Sequence, residues 1–316
     1  MVSSKRKKTI KRFINMIPQF PIFIPSKGRA EKYRRLTSRS LDEINVEYRI
    51  VIEPDEYDYY LRHIEKRKLL VMDMSYKEKY DCCDNKNDQI KTGAGAARNF
   101  IWDYSINEGF NYHWTMDDNI RTFRRLNKNK KIKVADGSMF RAMEDFCLRY
   151  KNISMAGPNY DGFVSSREKQ FPFVANRRIY SCNLINNNAP FRWRGRYNED
   201  TILSLDMLKA GWCTVLFNAF VQDKKTTQTI KGGNTDELYD GGGSGKEYSK
   251  TGTIEKSKMM ITTHPDVSRI VWRHGRVHHH VDYSQFKTNK LIRKEGYIPN
   301  RIINEYGFKL RKLTNK

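Results

Sequence analysis

The sequence predicts an α/β fold, a mostly parallel central sheet flanked by helices, and three observations carry that prediction. Short apolar runs alternate with helix-like stretches through the first half of the chain, the pattern of successive strand, helix and strand units. One of those runs, Tyr112 to Met116, ends directly on Asp117-Asp118-Asn119, and acidic residues at a strand's C-terminal end stand where open α/β sheets bind ligands. The length of 316 residues, with 38% hydrophobic and 12% aromatic content, allows one large domain with a buried core and excludes long disorder for most of the chain.

Phe20 to Pro25 is the first predicted strand. Ser26-Lys27-Gly28-Arg29 turns into a short helix, Tyr48 to Ile52 forms a second strand, and Pro54, tolerated in a first helical turn, opens a helix to Lys66. Leu69 to Met72 is a third strand, and Ser75 to Thr92, dense in Asp, Asn and Lys, reads as a long flexible excursion. The run Gly93 to Asn99 begins a helix that reaches Glu108 and leads to the Tyr112 strand. Beyond it, Ser138 to Tyr150 and Glu199 to Ala210 are predicted helices, and Ile153 to Ala156, Ile179 to Ile185 and Val215 to Phe217 predicted strands. Gln222 to Gly252, with Gly232-Gly233-Asn234 and Gly241-Gly242-Gly243, is the loosest stretch and has the character of a lid or binding loop. A short helix near Ile254 to Thr263 follows. The expected organisation is a basic arm over 1–18, one domain over 19–286 and a basic tail over 287–316.

Lys and Arg number 59 against 36 Asp and Glu, a formal net charge of +23 with a mean hydropathy of -0.78. Solubility accounts for a few charges of either sign; a balance this one-sided favours a polyanionic partner, because each cation that meets a phosphate releases condensed counterions. Five cysteines without a C-x-x-C pair point to a reducing cytosol rather than a disulfide framework. No apolar stretch of signal or membrane length follows the basic N-terminal run, so neither export nor membrane spanning is expected.

Asp117, Asp118 and Asn119 offer two carboxylates and an amide oxygen, hard ligands of the kind Mg²⁺ or Mn²⁺ shares with phosphates, although Asp and Asn also favour turns and helix caps. Glu199 and Asp200 head a predicted helix, either as acids that serve chemistry or as first-turn charge favoured by the helix dipole. Arg29 and Glu53 end the first two strands at the ligand edge of the sheet, where Glu53 before Pro54 equally suits a helix start. Arg177-Arg178 and Arg192-Trp193-Arg194-Gly195-Arg196 gather cations around an aromatic, a pattern suited to DNA phosphates and a base, or to a solvated loop with Trp193 in the core. His278, His279 and His280 alternate faces on an extended strand, so at most two act together.

The order Gly95-Ala96-Ala97-Arg98-Asn99, helix, apolar strand, acidic cluster resembles the core of family 2 glycosyltransferases of the GT-A fold, a Rossmann-like architecture. The likeness runs from Phe20 to Phe123 and resumes at Asn198-Glu199-Asp200. It implies a nucleotide-sugar half over 19–123, an acceptor half over 124–286, a D-x-D-like metal site at Asp117, Asp118 and Asn119, and Asp200 with Glu199 as the base of an inverting enzyme. Arg29, Glu53, Arg98 and Asp117 then meet the donor. Aligned as Asp117-x-Asn119, the motif carries Asn in place of its second acid. Gly232-Gly233-Asn234 before Tyr239, and Gly275-Arg276-Val277-His278-His279-His280-Val281-Asp282-Tyr283, look like the TET-associated glycosyltransferases, which glycosylate 5-hydroxymethylpyrimidines in DNA, often in phages. That resemblance implies a UDP-sugar donor, glucose first, touching Gly232, Gly233 and Asn234. It also implies a metal shell completed by His278, with His279 or His280 next. The implied acceptor is double-stranded DNA carrying 5-hydroxymethylcytosine or 5-hydroxymethyluracil, met by Arg177, Arg178, Arg192, Trp193, Arg194 and Arg196. The implied setting is the cytoplasm of a phage-infected bacterium. Three readings stay open beside it: a metal-dependent nuclease, a basic DNA-binding protein without catalysis, and a GT-A enzyme acting on protein or glycan.

Overall fold

The computed structural model describes residues 17–85, 92–167, 170–225, 230–238, 248–273 and 275–296. Tyr239, the run Gly241 to Gly243, most of the basic arm and the last part of the basic tail lie outside them. Strands β1 (Ile22–Pro25), β2 (Arg49–Ile52), β3 (Leu69–Val71) and β4 (Tyr112–Met116) run parallel in the order β3-β2-β1-β4. Alternate residues of these strands serve two cores. Ile22, Ile24, Ile50, Ile52 and Trp114 pack with Leu41 of the Leu36–Asp42 helix, while Phe23 and Val51 pack with Ile101 of the Gly95–Asn107 helix. Helices therefore cover both faces of the parallel strands, as parallel pairing requires.

Past β4 the chain adds β5 (Ile120–Asn127), β6 (Lys130–Lys133), β7 (Ile153–Tyr160), β8 (Phe173–Ala175), β9 (Cys182–Asn186) and β10 (Cys213–Lys224). The sheet continues β4-β9-β7-β10-β5-β6, with β8 also on β10. Strands β1 to β4, β6, β7 and β10 point one way and β5, β8 and β9 the other, which is the mostly parallel α/β sheet expected of a Rossmann-like GT-A fold. The sheet is curved. In a flat one, four spacings of about 4.8 Å would part β4 from β5 by roughly 19 Å, yet the link from Met116 to Ile120 reaches about 14 Å at most. Strand β10 supplies the bend where its pairing with β7 jumps between Phe217 and Val221.

Two details fix the site's scaffold. Glu144, fully buried on the Ser138–Leu148 helix, accepts from Trp114 Nε1 at 2.8 Å and from the backbone amides of Gln19 and Phe20 at 2.6 and 3.2 Å, tying that helix to β4 and to the entry of β1. Gly95 lies so close to Tyr80 that a Cβ there would fall 1.8 Å from its hydroxyl oxygen, so the helix carrying Arg98 can dock only with glycine at its start.

Several elements differ from expectation. The helix from Pro54 is a 3-10 turn, Pro54–Glu56, and one short helix, Tyr57–Leu61; the polar excursion opens with the helix Ser75–Glu78. The run expected from Ile179 becomes β9 only at Cys182, and the Val215 strand extends through Lys224 into the stretch read as loose. The sequence reading missed two hairpins, β5–β6 and the pair β11 (Ser268–Arg273) with β12 (Arg276–Val281), because their Arg, Lys and His residues hide the alternation of half-exposed strands.

Candidate active site

A cavity of about 260 Å³ lies at the C-terminal ends of β1, β2 and β4. The chain builds outward from β1 to β2 and β3, then returns to set β4 on the other side of β1, so a crevice forms at this reversal, where open α/β sheets take ligands. Ser26 after β1 donates its hydroxyl to Asp118 Oδ2 at 3.0 Å, and Arg29 forms a buried ion pair with Asp118 Oδ1. Arg29 also donates to the carbonyls of Ile230, Lys231 and Gly232 at 3.1, 3.0 and 2.6 Å. Gly232, at φ +88, lets that loop lie against the β1 turn, where a Cβ would meet Gly28 O at 2.7 Å. Glu53 is bound by Lys27 at 2.9 Å and Lys77 at 2.5 Å.

Deeper in, one guanidinium organises the acids. Arg98, 1% exposed, donates to Asp117 at 2.6 Å, Asp200 at 2.9 Å and Glu199 at 3.0 Å, with the Trp193 ring 4.7 Å from its centre. Lys224, the last residue of β10, donates to the other oxygen of Asp117 at 2.6 Å and to Ser181 Oγ at 2.8 Å. Asn198 takes a left-handed turn at φ 57 just before the Glu199–Lys209 helix, and the Ser181 amide and Asn183 Nδ2 hold Asp200 at 3.2 and 3.1 Å.

The two aspartates that share Arg98 are driven apart in acidity. Burial alone would raise Asp117, but Lys224 and Arg98 overcome it and hold the carboxyl well below the usual range. For Asp200, burial prevails against Arg98, and with Glu199 and Asp117 adding to it the carboxyl is pushed up to about 7. Such a pair supplies a fixed anion beside a group poised to accept a proton near neutral pH. Burial also raises Asp118 despite Arg29, and draws Lys256, which borders the cavity, down to about 8.

Of the residues expected at the site, Arg29, Glu53, Asp117, Asp118, Asn119, Glu199, Asp200, Gly233 and Asn234 border this cavity, while Gly232 is pinned beneath Arg29 and Arg98 lies behind the acids. The side chains of the arginine run are paired within the fold, with Arg192 exposed. Trp193 is 1% exposed, in the core under Arg98; Arg192 pairs with Asp103 at 2.7 Å, Arg194 with Asp206 at 2.8 Å, and the buried Arg196, which also borders the cavity, with Asp84 at 2.7 Å. Arg177, Arg178, His279 and His280 border a second cavity, and His278 accepts from Arg276 Nε at 3.1 Å. The sequence reading missed Lys224, Ser26, Ser181, Asn183 and Lys256. Their one sequence signal is position at a strand end or helix, and for Lys224 the face it takes depends on the β10 register shift between Asp223 and Lys224.

In this structure the donor atoms of Asp117 and Asp118 are engaged by side chains of the same chain. Both oxygens of Asp117 and both of Asp118 already accept from Arg98, Lys224, Arg29 or Ser26, which leaves the buried, unpartnered Asn119 Oδ1 as the free oxygen of the tripeptide. His278 and His279 are not among the residues that border it. Among the described residues no three His, Cys, Asp or Glu side chains gather as a metal-binding group; Mg²⁺ shared with a diphosphate takes one or two carboxylates and completes its shell with water and phosphate oxygens.

The described residues contain no helix long and apolar enough to cross a membrane. No curated protein matches the chain. The family model described as TET-Associated Glycosyltransferase matches residues 20–233, from the entry of β1 to the glycine loop under Arg29 and so across every acid of the cavity. The chain belongs to the TET-associated glycosyltransferase family and is an enzyme that transfers sugar.

Proposed function

We propose that the protein transfers a sugar from a UDP-sugar, glucose first, to the hydroxymethyl group of a 5-hydroxymethylpyrimidine in DNA, with inversion. The carrying observation is the pairing of Asp117 and Asp200 on one buried guanidinium at the crevice, one held ionised and the other poised near neutrality. Asp200 Oδ2 takes the proton of the acceptor hydroxyl while its oxygen attacks the anomeric carbon. The bond from that carbon to the diphosphate oxygen breaks, and the electron pair leaves with UDP. Lys224 and Lys256 meet the charge that develops on the departing diphosphate, the part expected of Mn²⁺ or Mg²⁺ from the sequence. The family membership and the net charge of +23 support DNA as the acceptor.

The test incubates the protein with UDP-glucose and other nucleotide sugars, with and without EDTA, and with duplex DNA containing 5-hydroxymethylcytosine or 5-hydroxymethyluracil. Mass spectrometry of the digested nucleosides reads a hexosyl adduct. Sugar transfer to protein or glycan with none to either DNA would overturn the acceptor, and shortened DNA without donor would replace the reaction by a nuclease.

A further inference from the structure

A second cavity, about 400 Å³, adjoins the first and shares Tyr180 with it, and none of its described lining residues is acidic. Its size is that of a small-ligand site. The arginines at 29, 98, 124, 192, 194 and 196 are each ion-paired, whereas Arg177 and Arg178, adjacent and half-buried, have no carboxylate partner among the described residues. Arg177 instead lies over the Tyr283 ring at 5.5 Å and Arg178 over Tyr180 at 4.4 Å, with Tyr180 stacked on Tyr160 at 5.4 Å. Half-burying two guanidiniums side by side without a counter-charge is unfavourable, and a bound anion reverses the sign of that cost. The exposed Arg273 of β11 adds a third cation, and Phe163, 66% exposed, adds an aromatic face at the rim.

We infer that this cavity holds the acceptor strand beside its target nucleotide, with a backbone phosphate on Arg177 and Arg178 and a base stacked on Phe163. Cations supply the salt-dependent affinity and the open ring a sequence-tolerant platform. Tyr180, common to both cavities, then separates the strand from the acids that act on its hydroxymethyl group. The assignment rests on DNA as the acceptor, and of the arginines expected to meet it takes Arg177 and Arg178 rather than the run at 192–196.

The experiment measures binding of a fluorescent duplex containing 5-hydroxymethylcytosine by anisotropy across salt concentrations, with UDP-glucose binding followed by calorimetry. Arg177→Gln/Arg178→Gln should weaken DNA binding about 10-fold or more and flatten the log–log salt slope by about two units, near one per contact removed. Phe163→Ala should cost about 10-fold with the slope unchanged. UDP-glucose affinity should stay at the wild-type value in both. Should the double variant fail to fold, Arg273→Gln carries the test on an exposed side chain, with a slope change of about one unit. An unchanged slope in the folded arginine variants, or lost UDP-glucose affinity with DNA binding intact, overturns the inference. The predicted slope change in a protein that glycosylates no DNA supports the cavity as a DNA site and rejects the proposed reaction instead.

Discussion

Arg98 donates one amino group to Asp200 at 2.9 Å and the other to Asp117 at 2.6 Å, so a single side chain sets the position of both the proton acceptor and the fixed anion. Lysine at this position keeps the charge and loses the planar fork. Arg98→Lys should lower kcat about 100-fold while UDP-glucose affinity changes little, and Arg98→Ala should destabilise the fold by about 3–5 kcal/mol because three carboxylates lose their buried partner. Steady-state kinetics and thermal unfolding read the two effects separately. Equal losses in kcat and UDP-glucose affinity for the lysine variant would contradict a positioning role.

Asp200 must be ionised to accept a proton, and its carboxyl is raised to about 7. The rate should therefore climb with pH up to about 7 and level off above it, the reverse of an acid-catalysed profile. Asp200→Asn should lose about 100-fold or more and flatten that limb, because the amide cannot take the proton. A pH–rate profile of kcat/KM with the limb intact in the asparagine variant removes Asp200 from the proton's path.

Chelation separates the two accounts of leaving-group charge. With Asp117 and Asp118 engaged by cationic and hydroxyl side chains, transfer should persist in EDTA, and Lys224→Met should cost about 100-fold in kcat, the scale of removing one charge-stabilising donor. Abolition by EDTA and restoration by Mn²⁺ would return the metal to Asp118 and Asn119.

Glu144→Leu leaves the Trp114 indole and two backbone amides without their acceptor in the core. A loss of about 3 kcal/mol is expected in chemical denaturation, with kcat unchanged in the folded fraction. A neutral substitution would mean the Glu144 tie adds nothing to the packing of its helix.

The arginine run should prove structural. Arg192→Gln should leave the salt dependence of DNA binding as in wild type, and Arg194→Gln and Arg196→Gln should lower the thermal midpoint, since Asp206 and Asp84 lose their partners. A flattened salt slope in Arg192→Gln would restore DNA contact to this segment.

The strand-borne part of the site was legible because burial on both faces writes strands β1, β2 and β4 as continuous apolar runs, and the acids after β4 sit at the one sheet edge that binds ligands. Glu199 and Asp200 were legible as the head of a helix. The ion pairing of the arginine run was not legible, because composition says how many cations a segment has and not where its counter-charges are. Asp103, Asp206 and Asp84 reach it from elsewhere in the chain. Lys224 was invisible for a related reason. A one-residue slip at the end of a strand turns a side chain from one face to the other, and nothing in the residues around it announces the slip.

The sheet order has a consequence during synthesis. Strand β5 follows β4 at once in the chain but pairs with β10, so its partner emerges only after β6 to β9 have been made. At ~5–20 residues per second that interval is roughly 5–20 s, during which the β5–β6 hairpin presents an open edge to other nascent chains. Arg121, Arg124 and Arg125 on β5 and Lys130, Lys131 and Lys133 on β6 stud that hairpin. Like charge on two copies of this hairpin repels, which disfavours pairing of one waiting edge with another.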